Sequence, residues 1–150
     1  MSELVNLSLT DQILGLTDKS FSSKEITTAY LDEIKRRSSL NCFISVFEEE
    51  SIKKAAIADE NILNNKMRPL EGIPIAHKDI FCIKDKKTTC GSKMLSNFIS
   101  PYSSEVFTKL DNVGAITLGK TNMDEFAMGS SNETSFFGNV KNPWGKDLVP

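Results

Sequence analysis

The chain has 150 residues, of which 39% are hydrophobic and 25% are charged, and its formal net charge is −2. These values are ordinary for a globular domain with a core of its own, and the slight negative charge argues against a free-standing nucleic-acid binder. No apolar run has the length of a membrane span, and the N-terminus lacks the pattern of a signal peptide. The sequence therefore predicts a cytoplasmic protein without membrane contact.

The first 68 residues are predicted to be mainly helical. After a short first helix, Ser22 and Glu25 have the spacing of a capping box, which indicates the start of a second helix. Residues 42–47 form an apolar run typical of a strand. Three glutamates at positions 48–50 follow this run, and acidic residues suit the N-terminus of a third helix.

Residues 69–150 are predicted to supply core strands and a substrate-pocket loop. Residues 70–83 are apolar and indicate a buried strand, a turn at Lys78 and Asp79, and then a second strand. Residues 115–118 indicate a short core strand that follows a helix. Because helices and strands alternate along the chain, the predicted class is α/β, with a mixed β-sheet core and helices packed around it.

One motif in this half invites a nucleotide-binding interpretation. Residues 114–121 satisfy the pattern GxxxxGK[ST] of the phosphate-binding P-loop. A P-loop needs a strand before its first glycine and a flexible loop between the two glycines. Here a predicted helix comes first, and the four intervening residues are the predicted strand itself. We therefore expect that the chain does not bind ATP through Lys120.

Lys78 is the residue whose position suggests chemistry. It ends a short apolar run, where burial would disfavour the charged ammonium and favour the neutral amine, which is a base. Activity near pH 7 would require its pKa to fall by roughly three units from its free value. The alternative is a lysine at a strand end with its head in water. The neighbouring His77 would point to the opposite face of the strand, where a structural role is expected.

Residues suited to metal binding are sparse. His77 is the only histidine, and the cysteines at positions 42, 82 and 90 form no CxxC pair and no zinc spacing. We expect no metal site and no disulfide framework.

A long polar segment follows the last predicted strand. Residues 121–135 are dense in small polar side chains, and Phe136, Phe137 and Trp144 follow as aromatic anchors. A loop of this length inside a compact domain is usually functional or disordered, and the aromatic anchors favour order. The residues alone predict a small-molecule site built from hydroxyls and backbone amides.

Three stretches give the sequence a specific resemblance. Residues 72–81, 90–92 and 119–144 resemble the amidase signature family, and the similarity extends over essentially the whole chain. Within that family, residues 119–131 are most similar to the subunit that hydrolyses glutamine in tRNA-dependent amidotransferases. The resemblance implies that residues 1–150 are the N-terminal part of a single amidase domain.

The resemblance also implies a mechanism. Family members use a Ser–cis-Ser–Lys triad, and the lysine of that triad falls on Lys78. A neutral lysine takes a proton from the bridging serine, which takes one from the serine that attacks the glutamine side-chain amide. The loop that lines the substrate pocket would consist of Ala127, Met128, Gly129, Ser130 and Ser131.

Partners and cofactors follow from the same resemblance. The ammonia would pass to a partner, the B subunit of the amidotransferase, which activates Glu-tRNA(Gln) with ATP and magnesium in a complex that also contains a C subunit. Glu-tRNA(Gln) would then become Gln-tRNA(Gln) for translation. This chain would itself hold no cofactor and would meet the tRNA only through the complex.

The sequence departs from the family pattern at its end. It stops at Pro150, whereas a Gly/Ser-rich segment with the bridging serine and the nucleophile would come next. We therefore expect a fragment, truncated before that segment and inactive by itself. Two alternatives remain open, namely a family member that hydrolyses another amide and a non-catalytic truncated remnant.

Overall fold

The computed structural model describes residues 3–145 and 147–150 of the chain. These residues form two compact units. The first contains residues 3–36, 47–75 and 109–118, and the second contains residues 37–46, residues 76–108 and the chain from residue 119 onwards. In the described residues, none of the helices combines the length and the apolar character that crossing a membrane requires.

Three helices account for most of the first 68 residues, and capping residues define where two of them begin. They are α1 (Leu9–Thr17), α2 (Ser23–Arg36) and α3 (Glu48–Leu63). The predicted capping box is confirmed, because the Glu25 amide donates to Ser22 Oγ at 3.1 Å and the Ser22 amide donates to Glu25 Oε2 at 2.7 Å. The reciprocal pair satisfies two amides that the first turn of α2 would leave without partners.

Among the described residues, two apolar clusters form part of the core of the first unit. Leu16, Ile62 and Ile73 form one, and Ala55, Ala58 and Ile116 form the other. All six are buried, and burial of each of the four larger side chains, which are leucine or isoleucine, contributes about 1.5–3 kcal/mol to folding.

The first unit also buries one carboxylate completely. Glu71 accepts hydrogen bonds from Arg68 Nη2 at 2.9 Å and from Asn61 Nδ2 at 3.0 Å, and Arg68 Nε also donates to it. Burial alone would raise the pKa of Glu71, but the hydrogen bonds from Arg68 and Asn61 outweigh it and lower the pKa below its ordinary value. Glu71 therefore stays ionised inside the unit.

In the part of the chain that the structure describes, three strands form one sheet in the order β1–β3–β2. They are β1 (Phe43–Val46), β2 (Pro74–Lys78) and β3 (Ile116–Thr121). β1 is antiparallel to β3, with Phe43 opposite Thr121 and Val46 opposite Gly119. The Ile116 amide bonds to Ile73 O and the Asp79 amide bonds to Thr121 O, so β2 and β3 run in the same direction. The sheet is mixed, as predicted.

The strand predicted over residues 115–118 is confirmed, and it continues to Thr121. Gly119 lies so close to β1 that a Cβ atom at this position would be 2.2 Å from Ser45 O. Residues 116–118, which lie between the two glycines of the P-loop pattern, belong to β3, so this part of the pattern is a strand of the sheet. This geometry agrees with the prediction that a strand, and not a phosphate-binding loop, lies between the glycines.

The second strand predicted within residues 70–83 is wrong. β2 ends at Lys78, and the Phe81 amide donates to Lys78 O at 3.0 Å, which closes a turn directly after the strand. The Asp79 side chain points into the second unit and is 1% exposed. Its side chain bonds to Thr89 and Lys120, and the strand ends one residue before it. The apolar character of residues 70–83 does not by itself indicate where the strand ends.

A fourth α-helix among the described residues, α4 (Glu105–Asn112), begins after Ser104 and is the helix predicted before the strand at residues 115–118. The Phe107 amide donates to Ser104 Oγ at 3.4 Å. In the second unit, the Phe107 ring contacts the ring of the buried His77, with 5.4 Å between their centroids. His77 therefore faces the interior, as the alternation of a strand requires for the residue beside Lys78.

Candidate active site

The end of β2 brings Lys78 to a cleft of about 390 Å³ in the second unit. Lys78 is exposed, which agrees with the alternative of a lysine at a strand end with its head in water. The environment differs from the poorly solvated one that the preceding apolar run suggested. The alternation of the strand explains the difference, since His77 takes the inward position and Lys78 the outward one. Strand position, rather than the apolar character of the preceding residues, decides the solvation of this side chain.

The loop after β3 forms much of the other wall of this cleft. Of the five residues predicted to bind substrate, Gly129, Ser130 and Ser131 line the cleft together with Lys78. Ala127 and Met128 precede them in the same loop, where Ala127 has a φ of 59° and Met128 is 81% exposed. The lining found among the described residues does not include these two. The binding role of all five stays a prediction.

Asp124 holds this loop in place. Its carboxylate accepts hydrogen bonds from the Asn132 amide at 2.9 Å, the Thr134 amide at 3.2 Å and Thr134 Oγ1 at 2.9 Å. The bond from the Asn132 amide, joined by those from Thr134 and opposed by burial, lowers the pKa of Asp124 below its ordinary value. Gly129 passes directly over the carboxylate, so a Cβ atom there would be 2.5 Å from Asp124 Cγ.

Asp124 was not among the residues predicted from the sequence to belong to the site. The available signal was an aspartate placed just after a core strand and just before a run of small polar residues. Short carboxylates in such positions commonly accept hydrogen bonds from nearby backbone amides.

Two asparagines connect the other end of the loop to the chain before β1. Asn122 Nδ2 donates to Gly138 O at 2.9 Å and to Asn41 O at 3.1 Å. Asn41 Nδ2 donates in turn to Phe137 O at 2.9 Å. Asn41 has a φ of 58°, a left-handed conformation that asparagine tolerates better than most residues. The polar loop is thus ordered by side-chain hydrogen bonds to its backbone.

Behind the cleft, β3 carries a lysine that is fully buried. Lys120 is 0% exposed, and its Nζ lies 2.9 Å from Asp79 Oδ1 and 3.3 Å from Thr88 Oγ1. Lys120 thus has a carboxylate partner inside the protein. This ion pair was not predicted from the sequence, which indicated only that Lys120 does not bind phosphate.

The groups that line the cleft define the chemistry available to it. Lys78 supplies an amine, Ser130 and Ser131 supply hydroxyls, and Cys42 supplies a thiol. Burial raises the pKa of the Cys42 thiol, so at neutral pH it is the weakly nucleophilic protonated form. The Ser131 hydroxyl donates to Glu133 Oε2 at 2.6 Å. An amine beside hydroxyls and backbone groups suits proton transfer during attack on a polar substrate.

The structure combines a mixed sheet and helices with a lysine at a strand end and an ordered polar loop beside that lysine. These are the features that the resemblance to the amidase signature family predicted. The sequence model described as Amidase matches residues 25–150, so the chain belongs to the amidase family. The family resemblance and the α/β class predicted from the sequence are both confirmed.

Individual relatives show which members of the family the chain is similar to. The chain is 53% identical over 148 residues to the A subunit of glutamyl-tRNA(Gln) amidotransferase from Nitrosomonas europaea, covering 98% of this chain and 30% of the relative. The crystal structure of the subunit of the same name from Thermotoga maritima is 34% identical, with a TM-score of 0.69, over 85% of this chain and 26% of that one. Native peptide amidase from Stenotrophomonas maltophilia is 28% identical, with a TM-score of 0.84, over 93% of this chain and 30% of that one. The chain therefore spans about 30% of the length of the curated relative from Nitrosomonas.

Proposed function

We propose that this chain is the lysine-bearing part of a glutamine-hydrolysing amidotransferase subunit. The observation that carries the proposal is the cleft in which Lys78 lies beside Gly129, Ser130 and Ser131. The 53% identity to the A subunit of a glutamyl-tRNA(Gln) amidotransferase supports glutamine as the amide substrate.

In the proposed reaction, Lys78 acts as the base. Its neutral amine takes a proton from a bridging serine, and that serine takes one from the nucleophilic serine as it attacks the side-chain amide of glutamine. Ammonia leaves, and water then releases glutamate from the acyl-enzyme. Both serines lie outside residues 1–150 in this proposal. Gly129, Ser130 and Ser131 would contact the bound glutamine.

The wider role is proposed on the same basis. The ammonia would serve the amidation of Glu-tRNA(Gln) on the B subunit, which uses ATP and magnesium, within a cytoplasmic complex that also contains the C subunit. No residue of this chain is proposed to hold ATP or magnesium. The name shared by the relatives, which designates one subunit of an amidotransferase, supports an assembly of several subunits.

The test uses the full-length protein that contains this chain, co-expressed with its partner subunits. Lys78→Ala and Lys78→Arg should each lower ammonia release from glutamine by on the order of 10⁴-fold, as removal of one member of a catalytic triad does elsewhere. Arginine should fail as well because a guanidinium does not give up its proton at neutral pH. Lys84→Ala, which removes another exposed lysine of the same unit, is the matched control and should keep full activity.

Each other outcome has a definite meaning. Substantial glutamine hydrolysis by either Lys78 variant would remove Lys78 from the mechanism. If the unaltered protein hydrolysed simple aliphatic amides but not glutamine, it would be a different amide hydrolase. Failure to hydrolyse either class of amide, in a folded complex, would indicate a non-catalytic remnant.

A further inference from the structure

A buried ion pair between Asp79 and Lys120 lies directly after the end of β2. The side chain of Lys120 is 0% exposed and that of Asp79 is 1% exposed, with 2.9 Å between Lys120 Nζ and Asp79 Oδ1. Thr88 Oγ1 accepts a second hydrogen bond from the same ammonium at 3.3 Å. Asp79 directly follows Lys78 in the chain, so this pair lies one residue from the proposed base.

All the polar groups of Asp79 are engaged. Oδ1 binds Lys120, and Oδ2 accepts from the Thr89 amide at 2.9 Å and from Thr89 Oγ1. The Asp79 amide donates to Thr121 O at 3.1 Å, and Asp79 O accepts from the Cys90 amide at 3.3 Å. The peptide that joins Lys78 to Asp79 is therefore held from the side chain and from the backbone.

Such a pair is a poor way to gain stability. Removing two charges from water costs about as much as their attraction returns, and apolar replacements of similar volume are often equally stable. What the pair does provide is a defined position, since each oxygen of Asp79 has a directed partner. A defined position matters most at the neighbouring residue, where a displacement of about 1 Å can cost on the order of a hundredfold in rate.

We propose that Asp79 and Lys120 are positioning residues that set the direction in which Lys78 enters the cleft. The proposal rests on the proposed function of Lys78 and goes beyond it, because it assigns a role to two residues that touch neither the cleft substrate nor the proton being transferred. Thr89 belongs to the same arrangement through its two bonds to Asp79 Oδ2.

The variants separate positioning from stability. In the double variant Asp79→Leu/Lys120→Met, no charge is left unpaired inside the protein, so folding should be retained. Thr89→Val removes one hydroxyl from Asp79 at nearly constant volume, and Thr89→Ser restores that hydroxyl. Glu71→Gln is the matched control, because Glu71 is an equally buried carboxylate paired with a basic side chain, Arg68, in the first unit.

Glutamine hydrolysis by the full-length complex gives the first measurement. The double variant should lower kcat on the order of a hundredfold with KM within about threefold, because binding groups remain while the base is misdirected. Thr89→Val should lower kcat about tenfold and Thr89→Ser should recover most of it. Glu71→Gln should leave kcat within about twofold even where it lowers the melting temperature. A double variant with unaltered kcat, or losses that simply follow the melting temperature across all variants, would overturn the proposal.

A second measurement does not depend on catalysis. Acylation of Lys78 by limiting acetic anhydride across a pH series, read by peptide mass spectrometry, reports the environment of its amine. The acylation profile of Lys78 should change in the double variant but not in Glu71→Gln, and an unchanged profile in the double variant would contradict the proposal. If the unaltered complex failed to hydrolyse glutamine, the proposed function would fall, whereas this profile would still test whether Asp79 and Lys120 position Lys78.

Discussion

Replacing Gly129 with alanine should disable the cleft while leaving the fold intact. A Cβ atom at position 129 would be 2.5 Å from Asp124 Cγ and 2.7 Å from each carboxylate oxygen. Ordinary contact begins at 3.4 Å, so the loop and the carboxylate must separate by about 1 Å. Asp124 cannot simply rotate away, because its oxygens hold the Asn132 and Thr134 amides. The displacement therefore falls on the loop that carries Ser130 and Ser131.

The size of the effect follows from this displacement. A shift of about 1 Å in a group that positions substrate costs on the order of a hundredfold in kcat/KM. The thermal midpoint should change little, because residues 126–130 are exposed and contribute little to the core. In this variant kcat/KM should therefore fall while the thermal midpoint stays nearly unchanged.

The assay is glutamine hydrolysis by the full-length protein in its complex, with circular-dichroism melting measured on the same preparations. Gly145→Ala is the control, since its Cβ would be 3.1 Å from the end of the exposed Leu148 side chain, which can rotate. A Gly129→Ala protein with the kcat/KM of the unaltered protein would refute the reasoning, as would an equal loss in Gly145→Ala.

Three further outcomes are expected. Calorimetry should find no saturable binding of MgATP to the chain, because Lys120 is buried against Asp79; micromolar binding that disappears in Lys120→Ala would contradict this. The free energy of unfolding, measured in urea, should fall as the pH drops below about 4. The pKa values of Glu71 and Asp124 are lower in the folded chain than in the unfolded chain. At acidic pH the unfolded chain therefore binds more protons, which favours unfolding. A pH dependence that Asp124→Asn leaves unchanged would exclude a contribution from Asp124. Ile116→Ala should cost about 2–5 kcal/mol of unfolding free energy because its side chain is 1% exposed, and a loss below about 1 kcal/mol would show that β3 is not a core strand.

Local patterns predicted the regular elements well because their causes are local. The Ser22–Glu25 capping box lies within four residues, and β3 begins in a short apolar run between two glycines. The same locality accounts for the rejection of the P-loop. A helix before Gly114 and a strand after it can both be recognised without knowing the rest of the fold.

Long-range contacts account for what the sequence analysis missed. The end of β2 is set by Asp79, whose partners lie 10 residues away at Thr89 and 41 residues away at Lys120. Lysines are seldom fully buried, so residue type gave no reason to expect that Lys120 would be 0% exposed. Similarly, the role of Asp124 depends on amides 8 and 10 residues later in the chain. Residue type suggested polarity in each case, but only tertiary contacts identify the partner.

The eight-residue pattern shared with nucleotide-binding proteins has three separate structural origins in this chain. Gly114 has a φ of 95°, and a Cβ atom there would be 2.8 Å from the Glu71 backbone. Position 119 accepts only glycine for a different reason, because Ser45 O occupies the space that a Cβ atom would need. Lys120 is retained by an internal carboxylate. The spacing of two glycines and a lysine is therefore a coincidence of packing requirements. Pattern searches over genomes should assign ATP binding wrongly to other proteins with this arrangement, and a strand predicted between the two glycines would identify those false assignments.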